Sequence, residues 1–244
     1  MKLTVVGSSP AWPNPGGAQS GYLVEGPGRL LLDCGPGVLA RLRELHSVNG
    51  WPQVDAIVLS HFHLDHWGDL VPWVWGVMAG PARDADPPEL WVPPGGGEEL
   101  RALGARLGKA SMFEQTFRMH EFAEGESFRA AGLDVRALRL PHYALETYGF
   151  RVSNGSRSLA YSGDCGPSAR LAELARDCDL FLCEATLERP ELDGELRGHL
   201  SADEAVAAFE ASGAHRLILT HRPLELPLDN GLELAHDGLE VDFS

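Results

Sequence analysis

Most of the chemistry legible in this chain sits in six consecutive residues. His61-Phe62-His63-Leu64-Asp65-His66 places four side chains that bind transition metals within one short segment. Imidazole and carboxylate suit zinc, iron or manganese, and ligands at the first, third, fifth and sixth positions of a loop can address two neighbouring ions. A solvated histidine-rich loop explains the pattern less well. So does a lone structural zinc, because structural sites favour thiolates and close all four positions. The preceding residues 54–60 are apolar and read as a buried strand, so the cluster falls where a rigid strand gives way to a loop. That is where sites are usually built.

An HxHxDH run after an apolar strand resembles the signature of the metallo-β-lactamase superfamily of binuclear hydrolases. Further ligands of that family can be matched in order: His142 after Leu140-Pro141, Asp164 after residues 159–163, and His221 after residues 217–220. Each follows an apolar β-like run, as a site gathered from strand ends requires. Taken singly, His142 or His221 would more often be an ordinary partly buried histidine, and the ordered set reverses that reading. Leu30-Leu31-Leu32-Asp33-Cys34-Gly35 is similar to the strand and turn before the family's first helix. The resemblance implies two divalent ions, with zinc the default and manganese or iron acceptable. One ion takes His61, His63 and His142, the other takes Asp65, His66 and His221, and Asp164 bridges them. It also implies an α/β fold, the αββα sandwich of two mixed sheets flanked by helices.

Composition fits one hydrolase domain over residues 1–244. A chain of 244 residues with 44% hydrophobic residues can bury a sizeable core. No signal peptide is evident at the start, and no apolar run approaches the ~20 residues needed to cross a bilayer, so a soluble cytoplasmic protein without membrane contact is expected. Cys34, Cys165, Cys178 and Cys183 show no CxxC pairing and are expected to be reduced and largely buried. Cys165, beside Asp164, reads as a small filler near the metals.

Strands are expected near 2–7, 20–25, 29–34, 90–92, 112–118, 126–130, 133–140, 147–152, 158–163, 179–184 and 216–220. A closing strand pair is expected at 232–235 and 239–243, turned by His236-Asp237-Gly238. Helices are expected near 37–46, 65–79, 168–176 and 201–212. Ser201 and Glu204 form a capping box for the last of these. Residues 81–94 and Gly95-Gly96-Gly97 read as loops. On helix 65–79, Trp67, Leu70, Val71, Val74, Trp75 and Met78 make an apolar stripe. Trp73 and Val77 lie off that stripe, which points to an exposed contact surface and a homodimer through this helix, with burial within the same domain as the close alternative.

The second half carries finer detail. Leu182-Cys183-Glu184-Ala185-Thr186 and His199-Leu200-Ser201-Ala202-Asp203-Glu204 resemble motifs of the ribonuclease Z-like phosphodiesterase branch, which includes short cyclic-nucleotide phosphodiesterases. The resemblance implies that Glu184 orients His199 and that His199 protonates the leaving oxygen. Two ions would clamp phosphate oxygens and lower the pKa of a shared water to roughly 7. Asp65 would help to orient that water, and Arg222 is a candidate phosphate contact.

The tRNA-processing members of the branch carry a long arm between the positions of His142 and Asp164, and here a Ser153-Asn154-Gly155-Ser156 turn leaves no room for one. A net charge of −15 also disfavours nucleic acid. Residues 188–195 add local negative charge and read as a solvated loop. The favoured expectation is a phosphodiesterase for a small phosphodiester, a 3′,5′-cyclic nucleotide. A ribonuclease Z-type endonuclease, another metallo-hydrolase such as a lactonase or thioesterase, and a non-catalytic metal-binding module are the alternatives. Trp12 and Tyr143 are candidates for stacking on a base, though simple loop packing explains them as readily.

Overall fold

Long apolar runs such as residues 54–60 and 180–183 make strands buried on both faces, which forces helices onto the outside of each sheet. The computed structural model describes residues 1–45, 47–48, 50–228 and 231–243. Strands β1 (Lys2–Gly7), β2 (Gly21–Glu25) and β3 (Arg29–Leu32) lead into helix α1 (Val38–Leu45). A small ribbon, β4 (Ser47–Val48) with β5 (Trp51–Pro52), precedes β6 (Ala56–Val58). Helices α2 (Leu64–Trp67) and α3 (Leu70–Ala79), strand β7 (Glu89–Val92), helix α4 (Gly96–Arg106) and strand β8 (Arg118–Glu121) complete the first half. The second half runs β9 (Ser127–Ala130), β10 (Leu133–His142), β11 (Leu145–Ser153), β12 (Ser158–Tyr161), α5 (Arg170–Leu174), β13 (Leu180–Glu184), α6 (Ala202–Ser212), β14 (Leu217–Thr220) and β15 (Glu240–Asp242).

The first sheet has the order β15-β1-β2-β3-β6-β7-β8 and the second β14-β13-β12-β11-β10-β9. Both are mixed: β3, β6, β7 and β8 run parallel in one, and β12, β13 and β14 in the other. One core lies between the sheets, with Val5, Tyr22, Leu32 and Val58 facing Val135, Phe150, Tyr161 and Leu182. A second core packs α1, α3 and α4 on the outer face of the first sheet, and a third packs α5 and α6 on the second. This is the αββα sandwich. The capping box at Ser201 and Glu204 is present. All four cysteines are free and buried. Among the described residues no helix is long and apolar enough to cross a membrane.

Several expectations need correction. The stretch near 112–118 is a run of turns, because Phe117 N donates to Phe113 O and Met112, Phe113 and Phe117 turn inward onto the α3–α4 layer. The strand follows it, at β8. Gly96 and Gly97, expected in a loop, open helix α4, whose glycine-rich start has no local side-chain cap. The Glu121 carboxylate, from β8, instead accepts from Gly95 N and Gly97 N at 3.0 Å each. The closing segment is no hairpin. Leu234 bridges to Leu219 in the second sheet while β15 pairs with β1 in the first, so the turn at 236–238 ties the sheets together. Position 46, the end of the first expected helix, lies outside the described residues.

The expected helix 65–79 is broken at Gly68 and Asp69 into α2 and α3. Trp73 is 1% exposed, packed edge-on against Trp51 with ring centroids 5.5 Å apart, and Val77 is partly buried on the same cluster. The contact surface inferred from these two residues is therefore interior. The outward aromatic of α3 is Trp75, 46% exposed. A Cβ on Gly76 would fall 2.0 Å from the Trp51 ring. Gly76→Ala should therefore destabilise the fold by about 1–3 kcal/mol, read as a lowered midpoint in thermal unfolding.

Candidate metal centre

The functional side chains sit just beyond the C-terminal ends of strands from both sheets. Asp33 follows β3, residues 61–66 follow β6, Asp164 follows β12 and His221 follows β14, while His142 and Glu184 are the last residues of β10 and β13. At three of these ends the chain turns through the left-handed region: Asp33 at φ 59°, Tyr143 at 48° and His221 at 54°. Non-glycine residues there store strain of about 1–3 kcal/mol each.

The seven expected ligands converge in two groups. His61, His63, His142 and Asp164 place one ligand atom each within 4.8 Å of one another, and so do Asp65, His66, Asp164 and His221. Asp164 belongs to both groups. Four imidazoles are oriented through Nδ1. His66 Nδ1 donates to Asp33 Oδ2 at 2.8 Å, and His142 Nδ1 donates to Gly198 O at 2.6 Å. His61 Nδ1 lies 3.0 Å from Ser60 Oγ, which itself donates to Asp33 Oδ2. His221 Nδ1 lies 2.8 Å from Thr186 Oγ1, which donates to Glu184 Oε2. This pattern leaves each Nε2 with its lone pair turned to the centre, the usual outer-shell arrangement of a metal-binding histidine.

Electrostatics agree with a cation-binding centre. His61 Nε2 is buried without a hydrogen-bond partner, and His66 Nε2 and Asp164 Oδ1, also buried, have only ion-pair approaches, the nearest to each other at 3.2 Å. Orphaned buried groups are costly and call for an explanation, and a divalent cation supplies one. Burial pushes the His61, His63 and His142 imidazoles below their usual range, towards the neutral form that binds metal. Burial opposes the charge on Asp164, yet the neighbouring His221 and His66 hold its carboxyl well below the usual carboxylate range. The nitrogen and oxygen donors fit a divalent ion.

Beside the ligands, Glu184 is fully buried and saturated. Its Oε1 accepts from His199 Nδ1 and Cys165 N at 2.9 Å, and its Oε2 accepts from Thr186 N, Thr186 Oγ1 and Leu200 N. Burial works against a charged His199, but the Glu184 carboxylate and its hydrogen bond carry the imidazole up to about 9. Glu184, His199 and His221 also lie close enough to form a third ligand group. The five hydrogen bonds already on Glu184 instead commit both of its oxygens within the protein and orient His199. His199, His63, Asp65 and Asp164 line one side of a cavity of about 450 Å³.

Arg222 does not face a phosphate site. Its Nε donates to Leu226 O and its Nη1 to Ala185 O at 2.6 Å, so the guanidinium ties the loop after β14 to the one after β13. The 188–195 segment is more than a solvated loop. The Asp193 side chain is 4% exposed, and its Oδ2 accepts from Gly198 N at 2.6 Å and His199 N at 2.9 Å. Its Oδ1 accepts from Tyr143 OH at 2.7 Å. Tyr143 thus leans on His142 and His199 as part of the loop's support, while Trp12 is exposed on its loop. Cys165 is buried, its backbone N–H held by Glu184. Asp33, Ser60, Thr186 and Asp193 are the supporting residues that sequence reasoning assigned no role. The visible signal for Asp33 was a charge ending a strongly apolar strand, and Asp193 had none.

Fold and centre together define a metal-dependent hydrolase of the metallo-β-lactamase fold. The family model described as beta-lactamase superfamily domain matches residues 28–222, and the chain belongs to that family. An uncharacterized protein of Mycobacterium tuberculosis, Rv1339, is 34% identical over 229 residues, covering 91% of this chain and 81% of that protein. The structure is similar to the metallo-beta-lactamase fold protein YhfI from Bacillus subtilis, with a TM-score of 0.84, 24% identity and 98% of each chain covered. It is also similar to the short form of human tRNase Z, with a TM-score of 0.79, 23% identity and full coverage of both chains.

Two substitutions test the supporting roles. Asp33→Asn should lower metal affinity about 10–100-fold, measured by competition with a chelator. Asp193→Ala should lower turnover of substrates with poor leaving groups about 10–100-fold and weaken metal binding as well, because it frees His199 together with the Gly198 carbonyl that orients His142.

Proposed function

We propose that this hydrolase is a phosphodiesterase for a small phosphodiester, a 3′,5′-cyclic nucleotide such as cyclic AMP. The observation that carries this reading is the Glu184–His199 pair beside the ligand cluster. An alkoxide is a poor leaving group and needs a proton as the P–O bond breaks, whereas a thioester releases a thiolate that leaves without one. When bound, two divalent ions held by the seven ligands supply Lewis-acid charge for the phosphate oxygens and a water acidified to a pKa of roughly 7. His199 is kept protonated by Glu184, with Nδ1 committed to Oε1, which leaves Nε2 to donate to the leaving oxygen. Asp65, on the same cavity wall, orients the attacking water.

Size and charge favour a small substrate. Between β11 and β12 the chain makes a tight turn in which Asn154 Oδ1 accepts from Ser156 N and Arg157 N, with no inserted arm. No lysine or arginine lines the cavity among the described residues, and a net charge of −15 repels a polyanion. A cyclic nucleotide brings one negative charge, which two cations neutralise.

The test is an end-point assay of metal-loaded protein on cyclic AMP beside a 3′-extended precursor tRNA, with His63→Ala as the blank. Hydrolysis of the cyclic nucleotide alone is expected, and cleavage of the tRNA alone would overturn the reading. His199→Ala should retain metal and lose about 10²–10⁴-fold in turnover of cyclic AMP. It should lose much less on bis-p-nitrophenyl phosphate, whose leaving group needs no proton.

A further inference from the structure

The cavity that holds the catalytic groups has a second wall, for which the chemistry above has no use. Besides His63, His199, Asp65 and Asp164 it is lined by Ala11, Pro13, Gln19 and Leu64. Leu64 lies inside the metal-binding run yet is 62% exposed, a bulky apolar side chain held at the mouth of the centre. Gln19 is only 6% exposed. Its Nε2 donates to Pro10 O at 3.3 Å and Ala11 O at 2.5 Å. Two carbonyl oxygens require the nitrogen on that side, so the amide cannot be flipped. Oε1 is therefore the free atom of the amide, and it makes no hydrogen bond among the described residues.

The wall is also rigid. Asp237 accepts from Ser8 N at 3.1 Å and Ala18 N at 2.7 Å, pinning both ends of the 8–18 loop. Asn14 fixes its middle by donating to Arg222 O and accepting from Leu224 N. A loop held in this way binds without a large ordering cost. None of the four wall residues is charged.

We propose that Gln19, with Ala11, Pro13 and Leu64, forms the recognition subsite for the non-reacting part of the substrate. Its occupant is an uncharged group that presents apolar surface to the wall and a hydroxyl or amino donor to Gln19 Oε1. This rests on the phosphodiesterase reading above, and a nucleoside has both features.

The test compares wild type and Gln19→Leu, both metal-loaded, on cyclic AMP, 2′-deoxy cyclic AMP and the cyclic nucleotide lacking the 6-amino group. Wild type is expected to favour cyclic AMP over one of the two analogues by about three- to tenfold in kcat/KM, the worth of one neutral hydrogen bond. That preference should vanish in Gln19→Leu, while hydrolysis of bis-p-nitrophenyl phosphate, which offers no donor to Oε1, should fall less than that of cyclic AMP. Wild type that discriminates against neither analogue would overturn the subsite. So would a Gln19→Leu variant that keeps the preference while losing activity equally on all three, since a distorted loop acts without regard to the donor. Wild type active on bis-p-nitrophenyl phosphate but inert to every cyclic nucleotide would instead locate the failure in the proposed function, and the subsite would fall with it.

Discussion

Crowding five imidazoles and two carboxylates into a volume with ligand atoms less than 5 Å apart is the constraint on which the structure depends. Most of these groups are removed from water, and each left unpaired costs about 1–3 kcal/mol or more. The fold meets that cost with outer partners before any cation is considered. Asp33 is the hub. Its carboxylate accepts from Ser60 N, Ser60 Oγ, His66 Nδ1 and Tyr161 OH. Because Tyr161 comes from the second sheet, the same carboxylate that orients a ligand also holds the sheets in register at their active ends.

The second sheet makes a parallel arrangement on the acid side. Glu184 ends its strand as Asp33 follows its own, and it gathers the backbone of three residues along with His199 and Thr186. Thr186 passes that order to His221, and Gly198 O passes it to His142. The candidate ligands and the Glu184–His199 pair therefore share one frame. A shift in the 193–199 loop would move a ligand and the acid together, and a buried carboxylate at Asp193 holds that loop in place.

Much of this was legible in the chain. The metal-binding run is a local spacing on one loop, so no long-range information is needed to see it. His142, Asp164, Glu184 and His221 were legible because each terminates or follows an apolar strand, and β10, β12, β13 and β14 all run the same way in their sheet, which brings such ends to one edge. The misreadings share a cause. Helix α4 is capped by Glu121 from a different strand, Trp73 is buried by Trp51 from the preceding ribbon, and Arg222 is captured by carbonyls of neighbouring loops. Glu121, Trp51 and Ala185 are all far away in the chain from the residues they hold.

By itself, then, the sequence determined the class of chemistry: a set of hard and borderline donors at strand ends, a histidine with a carboxylate to hold it, and a strand pattern that must be covered on both faces. Side-chain type and periodicity decide those points, since they depend only on chemistry and on burial. Tertiary structure alone decided which polar groups are occupied and which remain available. It sealed Arg222 into the backbone, made Asp193 a support and left Gln19 with one open acceptor on the cavity. Hydrogen-bond saturation is settled by partners that are distant in the chain and adjacent only after folding.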